Sequence, residues 1–169
     1  MRLIVIAAVV AVAVAIGAVV GALAASGGSS SGAASEQELR RHADLWEIDQ
    51  LQRKFHRATS RKDVELMMSL YAPDATFTFP GTIAAGKKEI RKFWVTSKSM
   101  TNNWVSETPI YKVRITANGD RGTLYFECVY VDPTTSEVVA VTAADGDVAR
   151  INGRWLITHV AGASATLSR

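Results

Sequence analysis

The amino-terminal part of the chain is a single apolar segment, residues 3–25, with no charged side chain inside it. A helix of about 23 such residues is long enough to cross the roughly 30 Å hydrocarbon core of a bilayer. Ala22-Leu23-Ala24 also fits a signal-peptide cleavage site, so residues 1–25 are predicted to be either a signal peptide or a transmembrane anchor. Because Arg2 precedes the segment and the next charge is Glu36, we expect an extracytoplasmic body, either anchored to the membrane or secreted.

The rest of the chain begins with a linker and continues with helical patterns. Residues 26–35, SGGSSSGAAS, are small and polar and are predicted to form a flexible linker, which leaves 36–169 as the folded domain. Between 36 and 59 the apolar side chains recur at helical spacing, which predicts a long amphipathic helix. Asp63 is expected to cap a second, short helix, and a third is predicted from about Lys87 to Met100.

After Asn103 the pattern changes to alternating apolar and polar residues. Turn signals occur at Asn118-Gly119, Asp132-Pro133 and Asn152-Gly153, which is typical of antiparallel hairpins. Because the helices come before the strands, we expect an α+β domain. Its three helices would pack on one face of a curved antiparallel sheet, and the hydrophobic amino-terminal helix would precede them.

The hairpin that turns at Asn118-Gly119 sorts its side chains into two faces. A two-residue turn at this position places Leu124, Phe126 and Cys128 together on the apolar face. The opposite face receives Glu127 close to Lys112, which predicts a surface ion pair rather than a buried base.

The next two hairpins decide where the one candidate catalytic carboxyl lies. The four-residue loop 133–136 pairs Val131 with Val138, and without a bulge this pairing brings Asp147 to the core side of the sheet. The hairpin that turns at Asn152-Gly153 then places His159 on the opposite face. A carboxyl in an apolar cavity has a raised pKa and can act as an acid or a base near neutral pH. Alternatively, Asp145-Gly146 is itself a turn signal and would leave Asp147 exposed to water.

Charge and composition exclude several classes of function. Nineteen Lys and Arg against 16 Asp and Glu give a net charge of only +3, so no nucleic-acid partner is expected. The single cysteine, Cys128, cannot form a disulfide within the chain, and the three histidines have no ligand-like spacing, so we expect no metal and no cofactor. His56 lies among Arg53, Lys54 and Arg57 and is expected to be solvated.

Three segments carry a family resemblance. They are the first helix EIDQLQRKFHRATSRKD, the following LYAPDATFTFPG and the terminal ARINGRWLITH. In this order the chain resembles the SnoaL-like branch of the nuclear transport factor 2-like superfamily over nearly all of residues 36–168. The resemblance implies a cone of three helices closed by a curved sheet, an apolar internal cavity, and a homodimer formed through the outer sheet face. It does not specify a function, because this fold hosts enzymes as well as domains that only bind.

The resemblance does not transfer the catalytic groups of the enzymes in the superfamily. Ketosteroid isomerase uses an Asp base, and a Tyr and a protonated Asp that donate hydrogen bonds. In the alignment, Phe79 stands at the position of the base and Phe55 at that of the Tyr, and a phenyl ring can neither take nor donate a proton. Only Asp147 matches, at the position of the third residue. The Asp and His residues of scytalone dehydratase are not matched either.

The sequence therefore predicts a domain that binds an apolar small molecule or a partner in its cavity without catalysis. One alternative is an isomerase, cyclase or dehydratase that acts on a polyketide-like or steroid-like substrate with Asp147 as acid or base. Another is a structural domain whose own side chains fill the cavity. The side chains predicted to bind a flat apolar ligand are aromatic: Phe55, Tyr71, Phe79, Trp94, Trp104 and Phe126.

Overall fold

The computed structural model describes residue 32, residues 35–108 and residues 112–167. The chain divides into two units, Met1–His42 and Ala43–Arg169. The predicted signal peptide or anchor lies outside the described residues, as does most of the predicted linker. Within the described part of the chain, no helix has both the length and the apolar character needed to cross a membrane.

The first helix, α1, spans residues 35–61, and its residues from 43 onwards belong to the second unit. In that portion Ile48, Leu51, Phe55 and Ala58 are buried, and their spacing of three or four residues places them on one face of the helix. Trp46 is 63% exposed on another face. The predicted helical period is therefore confirmed, and it selects the side of α1 that packs on the core.

Three shorter helices follow. They are α2, Val64–Ser69; α3, Gly86–Thr96; and α4, Lys98–Thr101. The Asp63 side chain accepts a hydrogen bond from the backbone N–H of Leu66 at 2.8 Å, which confirms the predicted cap. Ser97 has an extended backbone (φ −67°, ψ 143°), so the single helix predicted over 87–100 is in fact two helices that meet at this residue.

The strands of the described residues form one seven-stranded sheet. They are β1, Tyr71–Phe79; β2, Thr82–Ala85; β3, Val105–Glu107; β4, Val113–Asn118; β5, Arg121–Asp132; β6, Glu137–Ile151; and β7, Arg154–Thr166. Their order in the sheet is β2-β1-β7-β6-β5-β3, with β4 also paired to β5. Most neighbours are antiparallel, but β1 and β7 run parallel, so the sheet is mixed. The α+β prediction is confirmed.

The β4–β5 hairpin keeps its predicted faces although the register of its two strands differs from the prediction. The two-residue turn predicted at Asn118-Gly119 would pair Val113 with Leu124, whereas Val113 pairs with Phe126 in the structure, a shift of two residues. Because side chains alternate with a period of two, such a shift leaves every residue on its predicted face. Leu124, Phe126 and Cys128 are buried together as expected.

A β-bulge at Val139 overturns the predicted faces of β6. Val131 pairs with Val138 as predicted, but Tyr130 pairs with Ala140, so Val139 is an extra residue in β6. From this point the even-numbered residues of β6 face the core, and Asp147 is exposed. The prediction that Asp147 lies on the core side is therefore wrong, because one inserted residue inverts every side chain that follows it.

A second bulge, at Thr158 in β7, places His159 on the outer face, as predicted, but opposite Asp147. The turn at Asn152-Gly153 pairs Ile151 with Arg154 as expected, and Val148 pairs with Ile157. Asp147, however, pairs with His159 rather than with Thr158, so both lie on the same outward face of the sheet. The two bulges increase the local bend of the sheet and leave its inner face to apolar residues.

Candidate functional site

The inner face of the sheet and the helices enclose a cavity of about 220 Å³. All six side chains that the sequence predicted to bind a ligand line this cavity. The aromatic lining residues are Phe55, Tyr71, Phe77, Phe79, Phe93, Trp94, Trp104, Phe126 and Tyr130. The wall is therefore built mainly from flat apolar surfaces, which suits an aromatic or polycyclic ligand.

Three elements meet at one wall of the cavity through edge-to-face and tilted ring contacts. Phe55 of α1 lies 5.3 Å from Trp94 of α3 and 5.1 Å from Phe126 of β5, measured between ring centroids. These distances lie in the range at which aromatic pairs attract one another. Phe55, which the sequence aligns with the hydrogen-bonding Tyr of ketosteroid isomerase, packs here against two aromatic rings.

A second aromatic group lies against β1. Phe77 stacks on Phe79 with a centroid distance of 4.6 Å and an interplanar angle of 13°, and it contacts Phe93 of α3 at 4.6 Å. Gly162 of β7 makes room for this group, because a Cβ there would come within 2.6 Å of the Phe79 ring. Phe79, which the sequence aligns with the base of ketosteroid isomerase, is thereby held in an apolar stack.

The rim of the cavity is more polar than its interior. The break between α3 and α4 places Ser97, Lys98 and Ser99 next to one another in the lining, and the Lys98 side chain is exposed. Ser164 and Thr166 near the end of β7 also contribute to the lining. Among the lining residues that the structure describes, Lys98 is the only charged one, and there is no Asp, Glu or His.

The two tyrosines of the wall are hydrogen-bond donors and not bases. Tyr71 is fully buried and Tyr130 is 5% exposed, and burial raises the pKa of both phenols. Both hydroxyls therefore stay protonated at neutral pH. Asp147 is exposed and absent from the lining, and none of the described lining residues is a carboxylate.

The SnoaL-like domain family matches residues 13–161 of the chain, which is most of its length. The chain belongs to this family. Comparison with curated proteins gives no match.

Solved structures similar to this SnoaL-like domain share its fold at low sequence identity. A cystatin-like protein of unknown function from Nostoc punctiforme is 22% identical, with a TM-score of 0.63 over 73% of this chain and 92% of that one. A nuclear transport factor 2-like protein of unknown function from Pseudomonas putida is 20% identical, with a TM-score of 0.64 over 72% and 87%. A ketosteroid isomerase-like protein from Erwinia carotovora atroseptica is 16% identical, with a TM-score of 0.56 over 75% and 98%.

A polar cluster around His56 lies beside the cavity of the SnoaL-like domain, and no sequence pattern indicates it. His56 Nδ1 lies 2.6 Å from Ser106 Oγ, its Nε2 lies within hydrogen-bond distance of Thr108 Oγ1, and its ring contacts Phe126 edge-to-face. Burial lowers the pKa of His56 to about 4. The prediction that His56 is solvated is therefore wrong, because β3 covers the face of α1 on which it lies.

Several lining residues could not be identified from the sequence. Ala140, Thr142 and Ala144 reach the cavity only because of the bulge at Val139, which no local pattern indicates. The break at Ser97 places Lys98 at the rim of the cavity, where its side chain is exposed. By contrast, the ion pair between Lys112 and Glu127, 3.1 Å apart on the outer face, confirms the prediction for Glu127.

Proposed function

We propose that the domain binds an apolar small molecule in this cavity and does not catalyse its conversion by acid–base chemistry. The observation that carries the proposal is the lining, in which aromatic residues predominate and no described residue is an Asp, Glu or His. A cavity of about 220 Å³ holds a bicyclic or tricyclic compound, and transfer of such a compound from water to an aromatic wall is favourable.

The test uses 2-ethylnaphthalene, an uncharged apolar probe, and titration calorimetry. Binding to the wild-type protein is expected, together with a rise in Tm that grows with probe concentration. Ala140→Phe places a ring inside the cavity and is expected to weaken binding at least about tenfold, because it removes space that the probe needs. Ala85→Phe makes the same substitution at an exposed site on β2 and is expected to leave the affinity unchanged.

Two results would contradict the proposal. If the wild-type protein does not bind the probe, the domain is structural and its cavity is only a gap in the packing. Equal affinity of Ala140→Phe and wild type would show that the probe binds elsewhere. Asp147→Asn is a further control: because Asp147 lies on the outer face, its substitution is expected to leave binding unchanged.

The localisation of the domain is a second part of the proposal. The apolar segment 3–25 and the position of Arg2 support an exported domain that is either anchored in a membrane or secreted. Mass spectrometry of the protein purified from a cell envelope or culture medium measures its amino terminus. An intact protein confined to the cytosol would contradict export.

The outer face of the sheet supports a homodimer. Val129, Val141, Ala143 and Ala163 contribute to a shallow depression of about 450 Å³ on this face, and small side chains allow two sheets to approach closely. Light scattering after size-exclusion chromatography is expected to give twice the mass of the chain. A monomer at micromolar concentration would contradict this expectation.

A further inference from the structure

The rim of the cavity carries a positive charge that no acidic side chain neutralises. Lys98 lines the cavity and its side chain is exposed, so it lies where the cavity meets water. Among the residues that the structure describes, no Asp or Glu lies within 4 Å of its ammonium group. Lys98 is therefore free to pair with an anionic group of a ligand.

A second ammonium group lies behind the same rim. Lys62, which directly follows α1, donates hydrogen bonds from Nζ to the backbone oxygens of Ser99 at 2.9 Å and Trp104 at 2.6 Å, and both of these residues line the cavity. The two carbonyls are neutral, so they position the ammonium group without cancelling its charge. Lys62 is partly buried, and burial lowers its pKa; in the described part of the chain it too has no carboxylate within 4 Å.

The distribution of polarity in the lining indicates an amphipathic ligand. The aromatic rings of Phe55, Phe77 and Phe126 are buried in the interior of the cavity, whereas Lys98 is exposed at the rim. Rings placed in the interior leave water, while a charged group at the rim keeps most of its hydration and avoids the cost of full burial.

The charge of the ligand follows from the cations near the rim. Two ammonium groups without a described counter-ion attract an anion and oppose the entry of a cation. The described lining has no arginine, whose forked guanidinium suits phosphate, and Lys98 supplies a single point charge at the exposed edge. A singly charged carboxylate fits these conditions better than a phosphate.

We propose that the ligand is an aromatic carboxylic acid, which binds with its rings among the aromatic residues of the interior and its carboxylate beside Lys98 at the rim. This inference rests on the proposed function and specifies the class and the orientation of the ligand. It assigns Lys98 a role in specificity, since Lys98 distinguishes an acid from a neutral compound of the same shape.

The test compares 3-(2-naphthyl)propanoate with 3-(2-naphthyl)propanamide, two probes of nearly equal shape that differ in charge. At low salt, Lys98→Gln is expected to weaken binding of the acid about threefold to fivefold, the effect of one exposed ion pair, and to leave the affinity for the amide unchanged. Lys88→Gln removes the same charge at an exposed position of α3 outside the lining, and is expected to affect neither probe. Titration calorimetry measures all four affinities.

Two further measurements use the wild-type protein alone. Added salt is expected to weaken binding of the acid and to leave that of the amide unchanged, because an exposed ion pair is screened. Intermolecular nuclear Overhauser effects report the orientation of the bound acid. Its methylene protons are expected near the Lys98 side chain and its ring protons near Phe126, and the reverse orientation would overturn the inference.

The outcomes separate the inference from the proposed function. If Lys98→Gln weakens the acid and the amide equally, or neither of them, or if Lys88→Gln has the same effect as Lys98→Gln, the assignment of an acid is wrong. Binding of 2-ethylnaphthalene would still support the proposed function in each of these cases. If the wild-type protein binds neither 2-ethylnaphthalene nor the two new probes, the proposed function fails as well. Selective weakening of the acid in Lys98→Gln alone supports the assignment.

Discussion

The partly buried His56 predicts a specific loss of stability in acid. In the folded protein burial lowers the pKa of His56 to about 4, whereas in the unfolded chain the imidazole has its ordinary pKa of 6.5. The neutral ring is held between hydroxyl groups of Ser106 and Thr108. Below pH 6.5 the unfolded state therefore binds a proton that the folded state does not, and the contribution of His56 to stability falls until the folded protein is also protonated near pH 4.

The size of the effect follows from the two pKa values. Their difference corresponds to about 3 kcal/mol of free energy of unfolding, and about 2 kcal/mol of it is lost between pH 7.0 and pH 4.5. His56→Gln keeps hydrogen-bonding groups on the side chain but does not titrate. Its free energy of unfolding is expected to fall by about 2 kcal/mol less than that of the wild-type protein over this interval.

Urea unfolding followed by tryptophan fluorescence at the two pH values measures this difference. His42→Gln is the matched control, because the His42 side chain is 64% exposed on the same helix and should show the pH dependence of the wild type. If His56→Gln and the wild-type protein lose equal stability, or if the His56 ring titrates in the folded protein near its ordinary pKa by NMR, the reasoning from burial is refuted.

Three further predictions concern packing, ion pairing and reactivity. Gly162→Ala brings a methyl group to 2.6 Å from both the Phe79 ring and a backbone oxygen, and is expected to lower the free energy of unfolding by about 1–3 kcal/mol in urea; an unchanged value would show that the aromatic stack moves freely. Arg150→Met breaks ion pairs with Asp44 and Asp120 and should lower the free energy of unfolding by about 1–2 kcal/mol at low salt and by less at 1 M salt. An equal loss at low and high salt would contradict an electrostatic cause. Burial raises the pKa of the Cys128 thiol to about 11, so Ellman's reagent at pH 8 should label it only after unfolding, and rapid labelling of the folded protein would contradict its burial.

Much of the cavity wall could be predicted from the sequence because its side chains come from strongly patterned segments. Phe55 lies on the apolar stripe of α1 and Phe126 on the alternating face of β5, so their periods alone point them inwards. Tyr71 and Trp94 were also identified as lining residues. The proximity of the Tyr71 hydroxyl to the Trp94 indole N–H could not be inferred from the sequence, because β1 and α3 meet only in the folded domain.

Asp147 shows why the candidate catalytic residue could not be placed in the same way. Its predicted face depended on counting residues along β6 from the turn, and that count is correct up to Val138. The extra residue at Val139 is selected by how β6 fits against β5, and it inverts every later side chain. His56 is a second case, since its polar neighbours on α1 indicated solvent, whereas β3, about fifty residues away, covers it.

The sequence by itself determined the order of helices and hairpins, the aromatic composition of the cavity wall and the family, because hydrophobic period and turn residues are local properties of the chain. Only the tertiary structure decided which face of β6 lies against the core and that β3 covers His56. The physical reason is that a bulge or a packing contact depends on the partner strand or helix, and a shift of one residue in that pairing exchanges the inner and outer faces.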